Sequence, residues 1–153
     1  MLRVGKLTDY ATVVMTHLAR ASGRLLSANE IATDLGLALP TVSKVLKALL
    51  QSGLLVSHRG VKGGYSLARP AEEISVAEII VAIEGPVSLT ECSGSSSTCD
   101  QESQCSVRPN WQRINQAVIE ALEQVSLAEL AKPVRSHPMT FTPPAVLRAM
   151  RGS

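Results

Sequence analysis

Apolar residues recur at helical spacing through most of the chain, in blocks separated by glycine, proline and polar clusters. From Leu7 to Arg20, Ala11, Val14, Met15 and Leu18 form one stripe. Thr8 is placed to cap this helix, and Asp9 falls in its first turn, where a carboxylate complements the helix dipole. His17 lies beside the stripe and reads as a partly buried core histidine. Ser27-Ala-Asn-Glu30 is a capping box that opens a helix from Ala28 to Leu35. Gly36 ends it, Leu37 to Leu39 make a turn, and Pro40 starts a further helix that runs to about Gln51 before Gly53.

In that last helix Val42, Val45, Leu46, Leu49 and Leu50 share one face, which turns Thr41, Ser43, Lys44, Lys47 and Gln51 outward. Leu54 to His58 and Tyr65 to Leu67 read as two strands joined by the turn Arg59-Gly-Val-Lys-Gly-Gly64. A helix-turn-helix followed by such a hairpin is a winged helix. Its recognition helix would read base edges from Thr41 and Ser43 and meet phosphate through Lys44 and Lys47. Its wing would bring Arg59 and Lys62 to the sugar-phosphate backbone or the minor groove.

Further on, Ser75-Val-Ala-Glu78 is a second capping box, and Ile79, Ile80 and Ile83 follow until Gly85-Pro86 stops the helix. From Pro109, Trp111, Ile114, Val118, Ala121, Leu122 and Val125 recur at intervals of three or four residues. The one-sided stripe could pack back on its own domain or against the same helix of a second subunit; the second is favoured, and would set two recognition helices on one DNA face about 34 Å apart. Ser126 to Lys132 adds a turn or two of helix before Pro133. The division expected is a winged helix-turn-helix over 1–85, a loop over 86–108, a dimerisation helix over 109–132 and a flexible tail over 133–153, mainly α with a small β-hairpin.

Composition sharpens the picture. At 45% hydrophobic and 3% aromatic residues, the core must be aliphatic. Residues 1–70 hold nine Lys or Arg against Asp9, Glu30 and Asp34, a balance of +6, whereas 71–131 carry −8 and 132–153 carry +4. The basic N-terminal half is the candidate nucleic-acid face. No apolar run approaches the roughly 18 residues of a membrane span, and polar Thr8-Asp9 interrupts any signal-peptide core. A cytoplasmic protein is expected, without membrane association.

The three cysteines, Cys92, Cys99 and Cys105, are separated by six and five residues in a segment of Ser, Gly, Thr, Gln, Asp and Glu that cannot pack a core. An iron-sulfur cluster, a zinc ion or a metal-free thiol switch would each explain them. Zinc favours a tighter Cys-x2-Cys pair, which is absent, and no Cys and His pair close in sequence carries an orienting acid. Neither an enzyme nor a small-molecule substrate has positive support.

Leu-Thr-Asp-Tyr-Ala, Leu-Leu-Gln-Ser-Gly-Leu-Leu-Val, Arg-Gly-Val-Lys-Gly-Gly-Tyr-Ser-Leu, Ile-Val-Ala-Ile-Glu-Gly and the three loop cysteines together resemble the bacterial winged-helix regulators typified by IscR and NsrR, over residues 1 to about 130. The opening Met-Leu-Arg-Val-Gly-Lys-Leu-Thr-Asp-Tyr-Ala is most similar to the branch that regulates the SUF iron-sulfur assembly operon. The resemblance implies a homodimer on a palindromic operator, with one [2Fe-2S] or [4Fe-4S] cluster per subunit held by Cys92, Cys99 and Cys105. It places Thr41, Ser43, Lys44, Arg59 and Lys62 at the DNA, and makes Asp9 of the partner subunit the first choice of fourth ligand. Glu91, Asp100 and Glu102 are other oxygens in or beside the loop; His58, His17 and His137 fit less well by position. This chain departs from the pattern twice. Its first cysteine interval is one residue longer than in the better-known members, and Arg108 stands where a subset places a histidine ligand, a role its permanently protonated guanidinium excludes. The implied function is repression of iron-sulfur assembly genes by the cluster-loaded dimer. A nitric oxide sensing repressor on the same scaffold and a zinc-stabilised winged-helix interaction module are the alternatives.

Overall fold

The computed structural model describes residues 3–90, Ser93 and 105–133. Cys92, Cys99, Glu91, Asp100, Glu102, His137 and the expected tail beyond Pro133 lie outside the described residues.

Helix α1 spans Lys6–Arg20 and buries Ala11, Val14, Met15 and Leu18, the stripe read from the sequence. The expected Thr8 cap is not made. Gly5 is the N-cap and no side chain caps the helix from that position. Because the helix starts at Lys6, Thr8 already lies within its first turn, where its side chain is buried and cannot reach back to the orphan amides. Its hydroxyl donates instead to Glu84 Oε1, 2.5 Å away.

Helices α2 (Ala28–Leu35) and α3 (Leu39–Gln51) form the helix-turn-helix. The Ser27/Glu30 capping box opens α2, and Gly36 closes it with φ 63°, in the left-handed region that glycine tolerates best. Pro40 sits in the first turn of α3, whose buried face is Val42, Val45, Leu46 and Leu49. His17 Nε2 lies 3.0 Å from Asp34 Oδ2, so the half-buried histidine expected beside the stripe ties α1 to α2.

Strands β1 (Leu55–His58) and β2 (Gly64–Leu67) pair antiparallel, from Leu55 opposite Leu67 to His58 opposite Gly64. Leu26 and Tyr65 exchange both backbone hydrogen bonds, at 3.2 and 2.8 Å, so the segment before α2 lies along the outer edge of β2 and anchors the hairpin to the helices. A 3-10 turn at Ala71–Glu73 leads to α4 (Val76–Glu84), opened by the Ser75/Glu78 capping box. Arg69 pairs with Glu78 and donates to the Glu73 carbonyl, fixing the chain that leaves the wing against the start of α4.

Helix α5 spans Arg108–Glu123 and α6 spans Leu127–Ala131. The chain between them returns to the main body: Val76 N donates to Val125 O and Leu127 N to Ile74 O, at 2.9 and 2.8 Å. Leu127 is thereby buried in one aliphatic core with Met15, Ile31, Leu46, Leu49 and Ile79. Arg20 Nε donates to Ala131 O at 3.0 Å, closing the far end of α6 against α1.

Candidate nucleic-acid interface and candidate metal centre

Because the apolar residues of α3 face inward, its opposite side is polar. Ser43, Lys44, Lys47 and Gln51 are exposed and Thr41 is half-buried at the helix start. Ala38, the N-cap of α3, supplies no side-chain hydrogen bond, which leaves the positive end of the helix dipole open to solvent. Among the described residues the ion pairs are His17 with Asp34, Arg24 with Glu30 and Arg69 with Glu78; Lys44, Lys47, Arg59 and Lys62 take part in none of them. Among the described residues no ion pair compensates the charge of this surface, which suits an external polyanion.

The wing turn is built tightly. Gly63 N donates to Gly60 O at 3.0 Å, and a Cβ at Gly63 would fall 2.2 Å from the His58 carbonyl oxygen, so only glycine fits there. Arg59, Val61 and Lys62 project from the turn into solvent.

Around the cysteine loop, the structure defines the two limbs. The incoming limb follows Gly85 and is organised by hydroxyl groups: Thr90 N donates to Ser93 Oγ at 3.0 Å, Ser93 N to Thr90 O at 3.1 Å, and Ser88 Oγ to Thr90 O at 2.6 Å. Asn115, buried in the middle of α5, accepts from Leu89 N at 3.0 Å and donates to Val87 O at 3.1 Å. The outgoing limb begins at Cys105, a half-buried free thiol whose carbonyl accepts from Arg108 N at 3.4 Å as the chain turns into α5. Both limbs are thus attached to the same helix.

Of the sequence-selected ligand candidates, Cys105 stands beside the N-terminus of α5, Asp9 is exposed in the first turn of α1, and His58 ends β1 on the wing. Among the described residues no three His, Cys, Asp or Glu side chains converge as a metal site within one chain. Arg108 stands at the start of α5.

Two residues that the sequence did not single out matter here. Glu84, the last residue of α4, accepts from Gly5 N at 2.7 Å as well as from the Thr8 hydroxyl, and so caps α1 from another helix. These two bonds, the Thr8 one first, hold its carboxyl below the usual range. Asn115 is the other. Its only signal is a polar residue inside the apolar stripe of α5. That stripe is largely uncovered: Trp111 and Ile114 are 40% and 47% exposed. Trp111, Val118 and Leu122 border a depression of about 780 Å³ that Val4, Ile80 and Pro86 complete.

Residues 4–133 match the family described as Rrf2, iron-dependent transcriptional regulator. Over 128 residues the chain is 31% identical to the transcriptional regulator IscR of Cereibacter sphaeroides, spanning 80% of this chain and 83% of that protein. Among solved structures, the global cysteine regulator CymR of B. subtilis superposes with a TM-score of 0.67 at 29% identity, over 86% of this chain and 97% of that one. IscR of T. potens superposes with a TM-score of 0.64 at 26% identity, over 95% and 96%.

Proposed function

Since the chain belongs to the Rrf2 family of transcriptional regulators, we propose that it is a homodimeric, iron-sulfur-sensing repressor that binds a palindromic operator of SUF iron-sulfur assembly genes in the cytoplasm. The choice of SUF genes follows the similarity of residues 1–11 to that branch. No helix among the described residues is long and apolar enough to cross a membrane.

The observation that carries the reading is the attachment of both loop limbs to α5, through Asn115 on one side and the chain following Cys105 on the other. Whatever orders the loop acts on the helix that bears the uncovered stripe. In the proposed dimer that stripe packs against its copy, and the position of α5 fixes the distance between two copies of α3. Thr41 and Ser43 meet base edges, Lys44 and Lys47 meet phosphate, and Arg59 and Lys62 extend the contact through the wing. The proposed units are the winged helix over 1–85, the sensing loop over 86–108, the dimerisation segment over 109–132 and a tail over 133–153.

The donor set fits an iron-sulfur group. Three cysteines fall in one short polar segment, the described one is a free thiol just before a helix, and Asp9 presents an exposed carboxylate. Cys92, Cys99 and Cys105 would hold the group and Asp9 of the partner subunit would complete it. A cluster bound there would supply a centre whose integrity reports iron supply and oxidant exposure. The chain's own part is linkage: ligand-dependent order in the loop favours one spacing of the two winged helices over others.

Anaerobically purified protein should carry iron and sulfide with visible charge-transfer absorbance. Cys99→Ala should lose that absorbance and weaken operator binding together. Colourless protein loaded with zinc, or a Cys99→Ala variant that binds the operator as well as wild type, would refute the cluster reading.

A further inference from the structure

Between the paired residues His58 and Gly64 the wing tip has five residues, Arg59-Gly60-Val61-Lys62-Gly63, and therefore only three side chains. Two are cations, as a phosphate-facing loop requires. The third is a branched hydrocarbon in the middle of the turn, with a relative exposure of 107%. Val61 contributes nothing to the core, so its burial is not what holds the hairpin together. The turn is closed by the Gly63 to Gly60 backbone hydrogen bond, in a bend too tight to admit a Cβ at Gly63. Val61 stands in this turn between exposed Arg59 and exposed Lys62, and it is not among the residues of the core.

We infer that Val61 is an operator contact: its two methyl groups pack against the deoxyribose C–H edges that line the minor groove where Arg59 and Lys62 engage the flanking phosphates. The inference rests on the DNA-binding reading above and deepens it by adding an apolar component to the wing. The chemistry is complementary. The walls of the minor groove are sugar hydrocarbon between two rows of phosphate, and the tip offers hydrocarbon between two cations. A contact of this kind gains affinity by removing apolar surface from water and releases no counterions. Its energetic signature therefore differs from that of its neighbours.

The test uses full-length, anaerobically purified protein and a duplex bearing the sequence that the wild-type chain enriches from a randomised pool, titrated at several salt concentrations. Val61→Ser should weaken binding by up to about fifteenfold, the effect of losing the burial of two methyl groups, with the slope of log affinity against log salt unchanged. Val61→Leu should bind at least as well as wild type. Arg59→Ala and Lys62→Ala should each reduce the slope by about one. Being fully exposed, Val61 can be replaced without loss of fold, which thermal unfolding of each variant checks. If wild type binds and Arg59→Ala weakens it while Val61→Ser does not, the wing-tip inference fails and DNA binding stands. A changed salt slope in Val61→Ser would also overturn it, because the loss would then be electrostatic. If wild type enriches no sequence and binds no duplex, both readings fall.

Discussion

The side chain of Asn115 holds Leu89 in place: its Oδ1 accepts the Leu89 amide at 3.0 Å while its Nδ2 donates to the carbonyl of Val87, two residues earlier. One amide thereby satisfies a donor and an acceptor on a segment with no secondary structure of its own, and does so from inside a helix. Asn115→Leu keeps the volume but strands both backbone groups, at a cost of about 1–3 kcal/mol for each one left dry. Urea unfolding should show the loss. Hydrogen exchange at Leu89 should accelerate while amides in α3 stay protected, and an unchanged exchange rate at Leu89 would show that the limb is held by something else.

Glu84 makes a pH-dependent contact. Its carboxyl is held below its ordinary value of 4.5 by the Thr8 hydroxyl and the Gly5 amide. A depressed carboxylate contributes stability that is fully present above the unfolded value and is lost as pH falls through the folded one. Glu84→Gln retains an oxygen acceptor but no charge. It should lower stability at pH 7 and flatten the acid limb below about pH 5, where Glu78 and Glu30, also lowered, still titrate. Parallel stability curves for wild type and variant down to pH 3 would remove Glu84 from the acid transition.

Much of this was legible in the residue pattern, and what was not has a physical reason. Capping boxes are local: Ser27 with Glu30 and Ser75 with Glu78 lie three residues apart, and both form. The apolar stripes of α1 and α3 are periodic, and both are buried. Glu84 and Asn115 act across 79 and 26 residues, on Gly5 and Leu89, and sequence spacing carries no sign of partners so remote. Thr8 misled because the cap lies three residues earlier, at Gly5, and a shift of that size converts a cap into a buried hydroxyl. The helical turn read at Ser126 to Lys132 forms as α6, but its burial depends on partners remote in sequence. Its five residues look like a trailing turn until Leu127 is seen among the residues of α1 and α4.

Leu127→Ala should consequently destabilise the winged helix itself. Leu127 is fully buried, and truncating such a leucine costs about 2–5 kcal/mol through lost burial and the cavity left behind. Ser126→Ala, which removes the cap accepting from Glu129 N at 3.2 Å, should cost only about 1 kcal/mol. Denaturant midpoints of both variants check the order. A Leu127→Ala variant as stable as wild type would mean that α6 is dispensable to the core.

The wing can be broken without touching that core. At Gly63 a Cβ would lie 2.2 Å from His58 O, 2.9 Å from the Arg59 carbonyl carbon and 2.9 Å from Gly60 O, all backbone atoms that cannot swing aside as a side chain would. Gly63→Ala must therefore open the turn, losing the bond to Gly60 and with it the presentation of Arg59, Val61 and Lys62. Leu55, Leu67 and the Leu26 to Tyr65 pairing lie farther down the hairpin and should survive, because their contacts are with the helices. Amide chemical shifts should accordingly change from 58 to 64 and remain near wild type in α1 to α4, with thermal stability little altered. Operator affinity should fall further than in any single replacement of Arg59, Val61 or Lys62, since one change displaces all three. Full affinity in Gly63→Ala would mean that the wing takes no part in holding DNA and that α3 acts alone.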